Sequence, residues 1–162
     1  AAAYFLGALD IFTGSGGGRQ YIRNEQFVAL LDTWQSRPVF GWGLGEGIAT
    51  ITRSNEQAWA FELSYLAILH QTGSVGFLAY SFGILWIYVM GIRVIRSDHW
   101  MAIYMFPTLE GMTTFLIANA TNPYLAKFDF LWVLFLPISM INCWLVDKHR
   151  AASPSPSIQN TI

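Results

Sequence analysis

Four of the nine basic residues, Arg19, Arg23, Arg37 and Arg53, precede the first long apolar stretch of the chain. Guanidinium groups bind phosphate through two parallel hydrogen bonds and stay charged at any working pH, so such a set suits a diphosphate held beside a membrane. The same arginines also fit a solvated loop balanced by Asp10, Glu25, Asp32, Glu46 and Glu56. Glu62 follows in Ala60-Phe-Glu-Leu-Ser-Tyr-Leu-Ala-Ile-Leu-His70, an apolar run that should be helical, with Glu62, Leu66 and His70 on one face at four-residue steps. A carboxylate among Phe61, Leu63 and Tyr65 suits a general base; it could equally be a glutamate at a helix start that complements the helix dipole. His70 and Tyr65 are secondary candidates for the same site. Glu110 lies within a second apolar run, where an ionised group costs about 2.5–3.5 kcal/mol or more, so it is either functional or part of a polar seam with Thr108, Thr113 and Thr114.

Other motifs carry less. Gly41-Trp-Gly-Leu-Gly-Glu-Gly47 has the look of a phosphate cradle, but no apolar strand precedes it and no P-loop lysine follows, so a tight turn is expected. His70, His99 and His149 are too scattered for a metal cluster, and the single cysteine, Cys143, permits neither an internal disulfide nor a cysteine-based metal site. A net charge of -1 offers no field for nucleic acid. No cofactor is implied.

The elements that would position these residues follow from composition. Of 162 residues, 54% are hydrophobic and 12% charged, about half the charge of an ordinary soluble domain, which argues against a soluble fold. Apolar runs over residues 75–92, 100–120 and 124–146 each match a bilayer crossing. Arg93 and Arg96 close the first run, and Lys148 and Arg150 close the third. Three crossings put both clusters on the same side, which the positive-inside rule makes cytoplasmic. Residues 10–59 then form an extracytoplasmic loop. Within it Thr13–Gly18 reads as a flexible linker, and Ile22, Phe27, Leu30, Leu31 and Trp34 recur at helical spacing, predicting an amphipathic helix over 21–35 that lies on the bilayer surface. Residues 1–9 look like the stump of a truncated transmembrane helix, and residues 147–162, with Ser153-Pro-Ser-Pro-Ser157, like a disordered cytoplasmic tail. The expected architecture is all-α and polytopic.

The spacing of Arg23, Trp34, Pro38-Val-Phe-Gly-Trp-Gly-Leu-Gly45, Glu62-Leu-Ser-Tyr-Leu66 and Gly73-Ser-Val-Gly76 resembles that of the O-antigen ligase and O-antigen polymerase superfamily of bacterial membrane glycosyltransferases. That pattern places an arginine about fifteen residues before a Pro-x-x-Gly-x-Gly-x-Gly turn, and a His-Asn-x-Tyr-Leu helix start eleven residues before Gly-x-x-Gly. Thr121-Asn-Pro-Tyr-Leu125 is similar to polymerase-type members. The likeness covers roughly residues 19–142, in pieces. It implies that Arg23, with Arg19 and Arg37, holds the diphosphate of a polyprenyl-linked sugar donor. It also implies that position 62 activates the acceptor hydroxyl, although this chain carries Glu62 and Leu63 where the pattern has His and Asn. Carboxylates are the commoner base in sugar transfer.

The expected activity is metal-independent, inverting polymerisation of surface polysaccharide repeat units in the bacterial inner membrane, with the loop facing the periplasm. The implied partners are the lipid-linked glycan, the bilayer and upstream transmembrane helices of the same protein. Ligation of finished glycan to a lipid or protein is the nearest alternative. A non-enzymatic transporter or scaffold, with Glu110 lining a pathway, is the other.

Overall fold

The computed structural model describes residues 17–51, 61–125 and 127–152. These residues hold helices and no strand: α1 (Gly17–Ser36), a 3-10 turn (Ala49–Ile51), α2 (Ser64–Ser97), α3 (His99–Asn119), a second 3-10 turn (Phe128–Phe130) and α4 (Trp132–Ala152). The all-α expectation holds for them. The supposed helix stump at 1–9, most of the glycine linker, Arg53 and the Ser-Pro tail from 153 lie outside the described residues.

Helix α1 begins at Gly17, taking in two linker glycines ahead of the expected start at 21, and stops just before Pro38, whose ring disfavours helical geometry in the preceding residue. Its inner face was legible: Leu30 is buried, and Phe27, Leu31 and Trp34 are half-buried. The face is interrupted by Gln26, which is 1% exposed.

The described residues form two compact units. The first comprises residues up to Tyr80 together with Ile117–Lys127, the second Ser81–Leu116 with the residues from Phe128. In the first, Leu30 of α1 packs with Phe61, Leu63 and Ala67, and Phe27, Ile48 and Leu66 close around them. Burying each large side chain is worth about 1.5–3 kcal/mol, so this cluster holds the segment before α2 against α1. Part of the apolar face expected on a bilayer surface is therefore spent inside the protein.

Helix α2 starts at Ser64, not at residue 60. Leu63 accepts the first helical hydrogen bond, from the Ala67 N–H at 2.9 Å, and the Glu62 N–H is drawn instead to Gln26 Oε1 at 3.0 Å. Glu62 therefore precedes the helix, and the four-residue periodicity does not extend to it. Nine residues after Ser64, the helix breaks at Gly73 (φ 66°, ψ -171°).

The loop after α1 repairs the break. Trp42 and Gly43 donate their N–H groups to the carbonyls of His70 and Gln71 at 3.0 and 2.9 Å, while Ser74 and Val75 donate to the carbonyls of Pro38 and Val39 at 2.8 and 3.1 Å. Helical continuity is lost, but each of these groups finds a partner across the gap, as a buried backbone must. The approach is backbone on backbone. A Cβ at Gly41 (φ 68°) would lie 2.6 Å from the Gln71 carbonyl carbon and oxygen and from the Gly73 nitrogen, and one at Gly73 would overlap Val39 and Gly41. The glycine run is the tight turn expected, built to dock on a broken helix.

In the second unit the late part of α2, α3 and α4 share a core of Ile87, Met90 and Val94, Met105, Leu109 and Met112, and Val133 and Ile141, at helical three- and four-residue steps. Gly91 lets α3 come close, since a Cβ there would sit 2.8 Å from Leu109 Cδ1. Asp98 forms the corner between α2 and α3, its Oδ1 accepting the N–H groups of Trp100 and Met101, both at 3.0 Å, as a helix N-cap.

Two helices, α2 and α3, are long and apolar enough to cross a membrane, and only 17% of the apolar window of each is buried within the protein. Their outer faces carry Val75, Leu78, Phe82, Leu85, Val89 and Ile92 on α2, and Trp100, Ile103, Phe106 and Ile117 on α3, all exposed. The third expected run differs. Residues 124–131 lie outside α4, which begins at Trp132, contains Pro137 and continues through Asp147, Lys148 and Arg150 to Ala152, so its apolar part is shorter than the expected run. Residues 147–152, expected in the tail, are helical.

Candidate functional site

Arg23 and Glu62, thirty-nine residues apart, meet: Arg23 Nε donates to Glu62 Oε2 at 2.9 Å. Their side chains are 20% and 14% exposed, so the pair is shielded on most sides while keeping an opening to its surroundings. Three features of the sequence make the contact. Leu30, two turns beyond Arg23 on α1, anchors the helix against Phe61. Gln26, three residues beyond Arg23 and so on the same side of the helix, holds the Glu62 backbone. The late start of α2 leaves Glu62 free of helical geometry to turn toward α1. Gln26 was passed over in the sequence; its one signal was a polar residue set within the apolar face that runs through Leu30 to Trp34.

The remaining arginines separate. Arg19 is one turn before Arg23 on α1, and its side chain lies outside the described residues. Arg37 follows the last residue of the helix, about 21 Å from Arg23 along the axis at about 1.5 Å per residue. There its guanidinium stacks on the Trp42 ring, 4.2 Å from the centroid. Arg23 and Arg37 do not meet over one diphosphate-sized site, and Arg37 already has a cation–π partner.

His70 belongs to a layer behind the loop. It is 1% exposed, lying against the Trp42 ring (6.4 Å between centroids) and at the edge of Phe61 (6.1 Å). Thr33 Oγ1 lies 3.1 Å from His70 Nδ1 and 2.7 Å from the Ala29 carbonyl. Since the threonine proton goes to that carbonyl, Oγ1 accepts from Nδ1–H, and in the neutral ring Nε2 carries the lone pair, buried and without a partner among the described residues. Trp42 completes the layer by donating Nε1–H to the Thr33 carbonyl at 2.8 Å. The arrangement orients the loop more than it offers a reactive group. Trp42→Phe, which removes the donor and replaces the indole by a smaller aromatic ring, is expected to cost at least about 1 kcal/mol in thermal or denaturant unfolding.

Tyr65 is half-buried in the first turn of α2. Glu110 belongs to the second unit, exposed on the same outer side of α3 as Phe106 and Thr114, with its carbonyl accepting the Thr114 hydroxyl at 3.1 Å. The structure thus brings together one predicted cation and the predicted base, and leaves Arg37, His70 and Glu110 in other surroundings.

No family model matches the chain, and neither the curated proteins nor the solved structures contain a match to it.

Proposed function

We propose that the chain is part of a membrane glycosyltransferase that joins polyprenyl-diphosphate-linked glycan units, with Glu62 as the base and Arg23 as the group facing the leaving diphosphate. The observation that carries this reading is the 2.9 Å contact between Arg23 and Glu62, immediately before a helix of membrane length. Two groups needed at one reaction centre, remote in sequence, are side by side and part-exposed. The lipid setting is supported by the two apolar helices whose outer faces are left uncovered. The basic residue in the last turn of α2 supports placing that end in the cytoplasm and the α1 loop on the periplasmic side of the bacterial inner membrane.

In the proposed step Glu62 takes the proton of the acceptor hydroxyl, and the oxygen attacks the anomeric carbon from the face opposite the glycosyl–phosphate bond. That bond breaks, and the polyprenyl diphosphate leaves with the electron pair, inverting the configuration. Arg23 neutralises the charge that develops on the departing phosphate, with Arg19, one turn earlier in the helix, as the second cation of the proposed set. Arg37, about 21 Å along α1, is left out of the diphosphate set.

The test is the chain-length ladder of surface glycan in cells carrying Arg23→Ala or Glu62→Gln in the full protein. Loss of one preorganised charge contact costs about a hundred- to thousandfold in rate. The expected outcome is loss of the ladder with the protein still in the membrane; near-wild-type product from either variant removes that residue from the mechanism. In a null strain, short unpolymerised glycan still attached to its final carrier marks a polymerase, and an intact ladder stranded on the polyprenyl carrier marks a ligase.

A further inference from the structure

A cavity of about 500 Å³ lies in the first unit, between the α1–α2 loop, the first half of α2 and the turn that follows α3. Its walls include Leu44, Phe61, Ala67, Ile68 and Leu125, and no charged side chain lines it among the described residues. Two of its lining residues hold buried polar atoms that bond to nothing among the described residues, Tyr80 Oη and Asn119 Nδ2. Asn119 is 0% exposed, and its carbonyl oxygen is already taken by the Leu125 N–H at 3.0 Å, which fixes the amide and leaves the NH2 as the unpaired donor. Leaving a buried donor without an acceptor is costly, and proteins avoid it unless something else supplies the acceptor.

We infer that this cavity binds an uncharged lipid, an apolar chain bearing a neutral acceptor oxygen, with Tyr80 and Asn119 as the donors that recognise that oxygen. The volume falls within the range of small-molecule sites, which combine apolar walls with a few fixed polar groups. The described lining offers no cation for a diphosphate and favours an ester or hydroxyl oxygen on a hydrocarbon chain. Such molecules are at hand for a chain whose neighbouring helices are of membrane length. A cavity of similar size in the second unit, about 490 Å³ between Pro107, Gly111, Phe115 and Trp132, offers no unpaired donor and is the internal control. The inference is independent of sugar transfer, because none of the cavity's lining residues is Arg23 or Glu62.

The experiment is photolabelling of the full protein in lipid nanodiscs with diazirine analogues of a diacylglycerol, a prenol, a phosphatidic acid and an oxygen-free hydrocarbon, followed by peptide mapping. The expected result is labelling within residues 61–80 by the diacylglycerol or the prenol, whichever labels naming the oxygen preferred. Labelling by the hydrocarbon should be weaker by about tenfold. Tyr80→Phe is expected to reduce the neutral-lipid labelling to a similar extent while raising the melting temperature of the unliganded protein, since it deletes an unpaired buried donor. Ile68→Trp, which fills the cavity from a half-buried wall position, should remove the labelling and leave that of the second cavity unchanged. The inference is overturned by equal labelling with the hydrocarbon, by preference for phosphatidic acid, or by labelling indifferent to Tyr80→Phe. A fall in melting temperature for Tyr80→Phe would also overturn it, since the hydroxyl would then already have a partner in the protein.

Discussion

Gly73→Ala is expected to leave almost no folded protein in the membrane. Position 73 sits at φ 66° and ψ -171°, a region open to glycine and hardly to any other residue, and alanine pays about 1–3 kcal/mol for it. The larger effect is steric. The new Cβ would overlap the Val39 carbonyl and the Gly41 nitrogen, so the loop must lift off the helix break. Lifting it unpairs the four backbone hydrogen bonds between Pro38–Gly43 and residues 70–75, each worth about 1 kcal/mol and more if its groups stay buried. The total exceeds the roughly 4–5 kcal/mol that marks an exceptional single substitution. Gly41→Ala, on the other side of the same contact, should behave alike. Gly83→Ala is the control: in the same helix, with nothing within 4 Å of its Cβ, it should match wild type or gain slightly in stability. Membrane-fraction yield and melting of the purified protein measure all three, and a Gly73→Ala protein that melts like wild type would mean that the loop does not dock on the break.

The charge-reversed double variant Arg23→Glu/Glu62→Arg should separate the structural from the chemical role of the pair. Either single reversal places two like charges within contact distance in a shielded setting and should lower yield. Reversing both restores an ion pair and is expected to return the protein to the membrane at close to wild-type abundance. Glycan polymerisation should remain absent, because a carboxylate then faces the departing diphosphate and a guanidinium, always protonated, stands where the base is needed. Recovery of the ladder in the double variant would reduce the pair to a structural tie. For Arg23→Ala alone, loss of a charge-assisted hydrogen bond predicts about 1.5–3 kcal/mol of destabilisation. A mild shift in melting combined with complete loss of product is therefore the pattern that favours chemistry over folding.

These two predictions rest on features that were legible to different degrees. The apolar runs of α2 and α3, the apolar face of α1 around Leu30 and the Pro38 stop are local properties, fixed by which residues recur at helical spacing and by a ring that cannot continue a helix. The glycines at 41, 43 and 45 announced a turn for the same kind of reason, since each adopts a positive φ. Their purpose was not legible, because Gly41 and Gly73 are thirty-two residues apart and only their close approach requires both to lack a side chain.

The site divides in the same way. Residue types and the resemblance nominated Arg23 and Glu62 and grouped Arg37 with them; the helix that runs from Gly17 to Ser36 separates Arg37 from Arg23. Whether Arg23 and Glu62 would touch depended on where α2 begins. Helical propensity favoured a start at residue 60, which would have carried Glu62 onto a helix face with His70. Long-range bonds from Gln26 and Arg23, and the burial of Phe61 and Leu63 against Leu30, outweighed that local preference. Local sequence determined the helices and their apolar faces, since those depend on neighbours within a few residues. The helix break, the ion pair and the donor-lined cavity were decided by tertiary structure, since each needs groups far apart in the chain to satisfy one another.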